Sequence, residues 1–196
     1  MNGFLWPEYS RNILKTICYV FIIFVTLSNS YYPDLFAFFH TPPGVNLITF
    51  EDRGLGLLIQ YPSNWERSKV GLDQVTFIAP REHDSPSFPA GLGIKSHNIQ
   101  SPDSTLYSIA NEVVADLERD TQDFTLLGSH QIKLNNLDAY EISFAATDDN
   151  DATRMAKQII VQPESLVYVI TYKAYPEEYE SYLPIIRSML ESLKFL

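Results

Sequence analysis

The amino-acid sequence predicts an α+β fold, an antiparallel β-sheet with helices packed on its faces. Strand patterns follow one another through short turns, as they do in successive hairpins. Only two segments, one in the middle of the chain and one at its end, show the apolar period of a helix. Strands and helices do not alternate along the chain, so parallel βαβ units are not indicated.

The first half of the chain carries four predicted strands. The first two form a hairpin across a turn that contains Gly54, and Pro62 ends the second because proline has no N–H to donate to a neighbouring strand. The third alternates, with Val75 and Phe77 on one face. The predicted strands are residues 47–50, 55–61, 74–79 and 92–99.

The second half carries a helix and four longer strands. A cap region at residues 101–104 begins the helix. The turn Asn135-Asn136 suits positive φ angles, and the strand at residues 166–174 is apolar on both faces, which predicts a central position in the sheet. The apolar stripe of the helix is Leu106, Ile109, Ala110, Val113 and Leu117, and the strands are residues 124–134, 137–147, 153–162 and 166–174.

A second helix closes the chain. Pro176 stands in its first turn, followed by Glu177 and Glu178, which suit the positive end of the helix dipole. Pro184 is predicted to kink or restart the helix about two turns later. The buried stripe is predicted to be Tyr179, Tyr182, Leu183, Ile186, Leu190 and Leu193.

The stretch YPSNWE, residues 61–66, forms a predicted corner of the fold. Ser63 and Asn64 can close a local turn through their side chains after the strand ends. We interpret Trp65 as a structural residue that packs under a helix.

Composition and charge exclude several function classes. The chain has 196 residues, a net charge of −10 and no local basic patch, so nucleic-acid phosphates and anionic lipids would repel it. Its one cysteine, Cys18, cannot form an internal disulfide.

The N-terminus resembles an export signal. Arg11 and Lys15 precede twelve uncharged residues, 16–27, a length that suits a signal-peptide core better than a full membrane span. Residues 1–30 are therefore predicted to be a signal peptide or an N-terminal membrane anchor, which as an anchor would extend to residue 39. Both interpretations place the rest of the chain outside the cytoplasm.

The predicted domain organisation follows. Residues 31–45, which include Pro42-Pro43-Gly44, are predicted to be a linker, and residues 46–196 a single domain. The resulting location is extracytoplasmic, secreted or anchored to the outer face of the cell membrane. The predicted partner is a membrane protein complex or a membrane surface reached through the N-terminal segment, and not nucleic acid.

The domain resembles the PsbP-like proteins, whose α-β-α sandwich fold is shared with the Ran-binding Mog protein. The resemblance rests on the order and spacing of YPSNWE, VTFIAP, LDAYEISF, LVYVITYKA and YLPIIRSMLESLKF, and covers roughly residues 47 to 196. In photosynthetic members it implies an extrinsic lumenal protein that helps to hold calcium and chloride. The basic N-terminal arm of plant members is not recognisable here, so the resemblance is to the non-photosynthetic type.

Two groups of residues are candidate sites. The acidic loop Asp148, Asp149 and Asp151 offers hard oxygen ligands to calcium, although it lacks the glycine and the distant glutamate of an EF-hand; a solvated hairpin tip is the alternative. The tyrosines near the C-terminus could line a ligand cleft between sheet and helix, or pack in the core. These tyrosines are Tyr168, Tyr172, Tyr179 and Tyr182.

Catalytic motifs are not recognisable. No serine lies in a G-x-S-x-G elbow, and the eight glycines are too scattered to form a phosphate-binding loop. We therefore expect a non-enzymatic accessory or binding domain, with calcium as its candidate metal and no certain cofactor. A secreted domain that binds a small ligand in the tyrosine cleft is the alternative, and a hydrolase whose residues converge only in the folded chain is the third hypothesis.

Overall fold

A computed structural model of the chain describes residues 44–81, 89–98, 104–148 and 151–196. The predicted leader, most of the predicted linker, residues 101–103 of the predicted helix cap at 101–104, and Asp149 lie outside the described residues. The described residues form ten strands and two helices. These are β1 (Leu47–Asp52), β2 (Leu57–Pro62), β3 (Glu66–Val70), β4 (Gln74–Ile78), β5 (Gly91–Asn98), α1 (Leu106–Asp120), β6 (Thr125–Leu134), β7 (Leu137–Thr147), β8 (Thr153–Val161), β9 (Leu166–Ala174), α2 (Pro176–Ser192) and β10 (Lys194–Phe195).

The strands form two antiparallel sheets. Seven strands make the large sheet in the order β3-β4-β5-β9-β8-β7-β6, and β1, β2 and β10 make a small one. The predicted α+β class and the predicted β1–β2 hairpin are confirmed. Strand β9 lies in the middle of the large sheet between β5 and β8, as its apolar faces predict. The two strands that the pattern did not predict, β3 and β10, are short and largely polar or exposed.

The two faces of the large sheet carry different layers. On the α2 face, the helix α2 and the small sheet pack against residues such as Phe77, Ile94 and Tyr172. On the α1 face, the helix α1 packs against Ile142 and Ile160. Successive residues of a strand point to opposite faces, so each face collects every second residue. The result is an α-β-α arrangement, and the apolar stripes predicted for both helices lie in its two cores.

The ends of the helices follow local sequence signals. Thr105 caps α1: its side chain accepts from the Ser108 N–H, and the Ser108 hydroxyl accepts from the Thr105 N–H. Helix α2 begins at Pro176 and runs through Pro184 without a break, so the predicted restart is wrong. One reason is that the fold packs both halves of α2 on the same core, through Tyr179 before the proline and Ile186 after it.

The turn between β6 and β7 connects to the end of α2. Asn135 and Asn136 adopt φ angles of 49° and 71°, as predicted. The side-chain amide of Asn135 donates to the carbonyl oxygens of Leu190 and Leu193, at 2.9 and 2.7 Å. These carbonyls lie at the C-terminal end of the helix, where intrahelical partners run out. The turn therefore also caps α2.

The corner at residues 61–66 has the predicted structural role. The backbone turns through a hydrogen bond from the Trp65 N–H to the Pro62 carbonyl, 3.0 Å long. The Trp65 side chain is only 6% exposed, and its ring meets that of Tyr182 edge-on, with centroids 5.9 Å apart. Since Tyr182 belongs to α2, the tryptophan fixes the corner under this helix.

Within the described ranges, neither helix is long and apolar enough to cross a membrane.

Replacing Trp65 with alanine should lower the free energy of unfolding by about 3–5 kcal/mol, because it leaves a cavity between the corner and α2. Thermal unfolding followed by circular dichroism measures the loss. The control is Leu72→Ala, at a side chain that is 78% exposed, which should change stability by less than about 0.5 kcal/mol. Equal melting temperatures for the two variants would show that Trp65 does not fix the corner.

Candidate functional site

The α1 face of the large sheet is covered only in part. Among the described residues, α1 lies over β7, β8 and one end of β9, where Val167 joins its core. Within the described ranges, no helix lies on the same face of β4, β5 and the rest of β9. An open trough with a volume of about 470 Å³ occupies this area. This volume falls within the range of small-molecule sites, roughly 300–1,000 Å³.

Three rows of paired residues cross the trough. In the central row, Thr76 pairs with Gly93, Gly93 with Thr171, and Thr171 with Gln158. This row places two hydroxyl groups and one amide around a residue with no side chain. The flanking rows are Ile78, Gly91 and Lys173 on one side and Gln74, Lys95 and Val169 on the other.

Gly93 makes the trough deep at its centre. A Cβ atom built on Gly93 would meet nothing nearer than the Thr76 hydroxyl at 3.7 Å and the Thr171 carbonyl at 4.0 Å. Its φ is not positive, so the backbone would accept other residues at this position. Glycine inside a strand weakens the strand and often marks a close approach of a ligand or another backbone. Neither backbone conformation nor crowding explains this glycine.

Gln158 stands at the inner end of the central row, where α1 begins to cover the sheet. Its side-chain oxygen Oε1 is buried and accepts no hydrogen bond from the described residues. A buried polar atom without a partner costs roughly 1–3 kcal/mol.

Two lysines supply the charge of the trough. The exposed side chains of Lys95 and Lys173 form no ion pair with any described residue. His97 follows on the same face of β5, and the pKa of its imidazole is lowered, mainly by burial and then by the charge of Lys95, while Asp73 opposes the shift. His97 is therefore neutral near pH 7.

A second hollow, of about 310 Å³, adjoins the trough between β5, β9 and α1. His97 and Val169 line both spaces. The hollow also contains Glu112 and Asp116 of α1, and Asp116 pairs with Arg119 at 2.9 Å. Negative charge thus lies at the helix side and positive charge at the open side.

The sequence contained a signal for the trough. The run G-L-G-I-K-S-H in β5 alternates, so that Gly91, Gly93, Lys95 and His97 share one face while Leu92 and Ile94 fill the core on the other. Of the two glycines, Gly93 marks the open space, whereas a Cβ on Gly91 would lie 3.1 Å from the Phe77 carbonyl oxygen.

The structure places the acidic loop beside a buried arginine. The Asp148 carboxylate accepts from the Ala152 N–H at 3.1 Å and from Arg154 Nε at 2.9 Å. The Arg154 guanidinium lies 3.5 Å from the ring centroid of Tyr175. Asp151 is exposed, with a φ of 57° that belongs to the turn. In the part of the chain that the structure describes, no group of three or more histidine, cysteine, aspartate or glutamate side chains is placed to hold a metal.

The four candidate tyrosines pack around the core on the α2 face. Tyr168, Tyr172 and Tyr179 are 1–5% exposed, and Tyr182 is half-buried against Trp65. The Tyr172 hydroxyl donates to the Tyr179 carbonyl at 2.7 Å, and their rings lie 4.9 Å apart. Burial raises the pKa of both phenols, so these side chains are neutral packing groups.

Tyr168 lies at the other end of β9 from Tyr172 and has a hydrogen bond of its own. Its hydroxyl donates to the Leu55 carbonyl at 2.8 Å, which attaches β9 to the turn before β2. Gly56 in that turn has a φ of 70°, and a Cβ there would lie 2.8 Å from the Tyr168 hydroxyl. Here the glycine is required by both conformation and space, unlike Gly93.

Comparisons with known proteins show the fold. Cyanobacterial PsbP from Synechocystis matches with a TM-score of 0.58 and 16% identity, over 80% of this chain and 98% of that one. LpqN of Mycobacterium tuberculosis, described as involved in cell envelope biogenesis, matches with a TM-score of 0.59 and 12% identity. The match covers 77% of this chain and 91% of LpqN. The Ran-binding protein Mog1p of Saccharomyces cerevisiae matches with a TM-score of 0.54 and 10% identity, over 77% of this chain and 96% of Mog1p. No curated protein sequence matches the chain.

A family of proteins matches the sequence itself. The match is to the family described as PsbP-like protein and spans residues 38–195, which is most of the chain. The sandwich expected from the resemblance is the fold that the structure has. The chain belongs to the PsbP-like protein family.

Proposed function

We propose that the protein is a non-enzymatic binding domain and that the trough on the α1 face is its binding site. The observation that carries this proposal is Gly93, which leaves the centre of the trough open although its backbone would accept a larger residue. The buried and unpaired oxygen of Gln158 at the edge of the same space supports it.

The lining of the trough favours binding over catalysis. Its described residues include two threonines and one histidine, but no aspartate, glutamate, serine or cysteine. A nucleophile normally requires a base that is itself oriented by a third group. Thr76 and Thr171 thus have no such arrangement among the described lining residues, and their hydroxyls are suited to hydrogen bonds with a ligand.

The proposed place of action is outside the cytoplasm, at the outer face of a membrane. The basic flank and apolar run of residues 11–27 support export or tethering. A similar fold occurs in LpqN, which is described as involved in cell envelope biogenesis. In this proposal the domain acts as an accessory subunit of a membrane complex and binds its ligand in the trough.

Filling the trough should abolish binding without unfolding the protein. We expect Gly93→Leu to keep or raise the melting temperature, because the added side chain enters open space in a strand. A set of small neutral, cationic and anionic fragments, followed by amide NMR shifts of the full chain, should mark β4, β5 and β9 in the wild type and not in Gly93→Leu.

The matched control for this test is Gly128→Leu on β6, where an added Cβ meets nothing within 4 Å. It should bind the fragments as the wild type does. Fragment binding that is equal in all three proteins, or absent from the trough of the wild type, would contradict the proposal.

Export depends on the apolar run. We expect the full chain to appear outside the cytoplasm of its host, with the membranes after a high-salt wash if the segment is an anchor and in the soluble extracytoplasmic fraction if it is cleaved. The double change Ile22→Lys and Ile23→Lys should keep the protein in the cytoplasm, because each charge in the run opposes insertion by about 2.5–3.5 kcal/mol. Wild-type protein found in the cytoplasm would refute export.

Calcium binding at Asp148, Asp149 and Asp151 stays a prediction. Asp148 already binds Arg154, so calcium would compete with an ion pair and should bind only in the millimolar range. Isothermal titration of the full chain should show heat that Asp151→Asn removes. Asp138→Asn, at another exposed hairpin, is the control. If the wild type gives no heat with millimolar calcium, the loop is not a calcium site.

A further inference from the structure

The trough has a charge of opposite sign to the net charge of the chain. The protein carries a net charge of −10, yet the charged residues that line the trough are basic in the part of the chain that the structure describes. Six lysines lie in the described ranges, and three of them form ion pairs with other described residues. Two of the other three, Lys95 and Lys173, stand in this one trough. The paired lysines are Lys69, Lys133 and Lys157, bound to Asp52, Asp138 and Glu141.

The sheet register places the two lysines on either side of the centre. Lys173 pairs with Gly91 and Lys95 with Val169, so each lies two residues from the row of Gly93 and Thr171. Their Cα atoms are therefore roughly 14 Å apart along the strands at about 3.4 Å per residue. Both long side chains can reach a group bound over Gly93. A single anionic group at the centre could contact both ammonium groups.

The rest of the lining is suited to an apolar body. Ile78, Pro89 and Val169 contribute carbon surface, and most of the exposed lining is apolar. Two lysines are too few to hold a polyanion, whose affinity grows with the number of phosphates neutralised. The trough lies on the face of the sheet and not at a strand edge, so it cannot extend its ladder with a peptide strand.

We propose that the trough binds a small amphipathic anion, a carboxylate or phosphate group joined to a short apolar chain. Lys95 and Lys173 hold the anionic group, Thr76 and Thr171 donate hydrogen bonds to it, and Ile78 and Val169 contact the apolar chain. This inference rests on the proposed function, because it names the ligand class of the same trough. The negative charge of α1 turns the anionic end away from the helix.

Four probes separate the parts of this proposal. Octanoate and octyl phosphate carry both an anionic group and a chain, octanol carries only the chain, and inorganic phosphate carries only the charge. Amide NMR shifts at Gly93 and Thr171 of the full chain measure binding. We expect each amphipathic anion to bind at least tenfold more tightly than octanol or phosphate. The stronger of the two anions identifies the preferred head group.

The double variant Lys95→Gln with Lys173→Gln should weaken octanoate binding at least tenfold and leave octanol binding unchanged. The control, Lys133→Gln with Lys194→Gln, changes the net charge by the same amount outside the trough and should bind octanoate as the wild type does. Equal binding of octanoate and octanol, or equal binding by the two double variants, would overturn the inference.

If neither anion binds while neutral or cationic fragments still shift the trough amides, this inference is wrong and the proposed function stands. If no probe or fragment binds there, both are wrong.

Discussion

The structure depends on one geometrical constraint: a seven-stranded sheet has two faces, and the chain must cover both. Neighbouring strands lie about 4.8 Å apart and a helix is about 10–12 Å wide, so one helix covers about two strands. On the α2 face, the small sheet adds to the helix, and both contribute buried residues to one core. On the α1 face, one helix lies mainly over β7 and β8. The trough over β4, β5 and β9 follows from this difference.

The sequence predicted the long strands better than the short ones. Long strands such as β7 and β9 were found to the residue, because their alternation and the turn residues at their ends agree. Short strands with few apolar residues, β3 and β10, carry too little pattern to be recognised. They form because a neighbour, β4 or β2, offers unpaired backbone groups, which is a tertiary effect.

The candidate site was harder to predict for a related reason. The row Thr76, Gly93, Thr171 and Gln158 comes from four strands whose order in the sheet, β4-β5-β9-β8, does not follow the chain. No spacing along the sequence brings these residues together. The tyrosines, by contrast, were visible as a group in sequence, but their period of two in β9 and of three in α2 points them into the shared core. The tyrosines, which are close in sequence, pack in the core, whereas the trough is lined by residues that are far apart in sequence.

The two glycines Gly56 and Gly93 show how packing and binding can be told apart in one fold. Gly56 has a positive φ and no room for a Cβ beside Tyr168, so stability alone accounts for it. Gly93 has ordinary backbone geometry and open space, and glycine there costs roughly 0.5–1 kcal/mol relative to alanine. Positions that break the local rules of stability are expected at functional or strained sites. Among the described residues, the buried Gln158 oxygen beside this position accepts no hydrogen bond, and Lys95 and Lys173 form no ion pair. A position in a central part of a sheet that forgoes available stability beside these groups is therefore better explained by a ligand than by the fold.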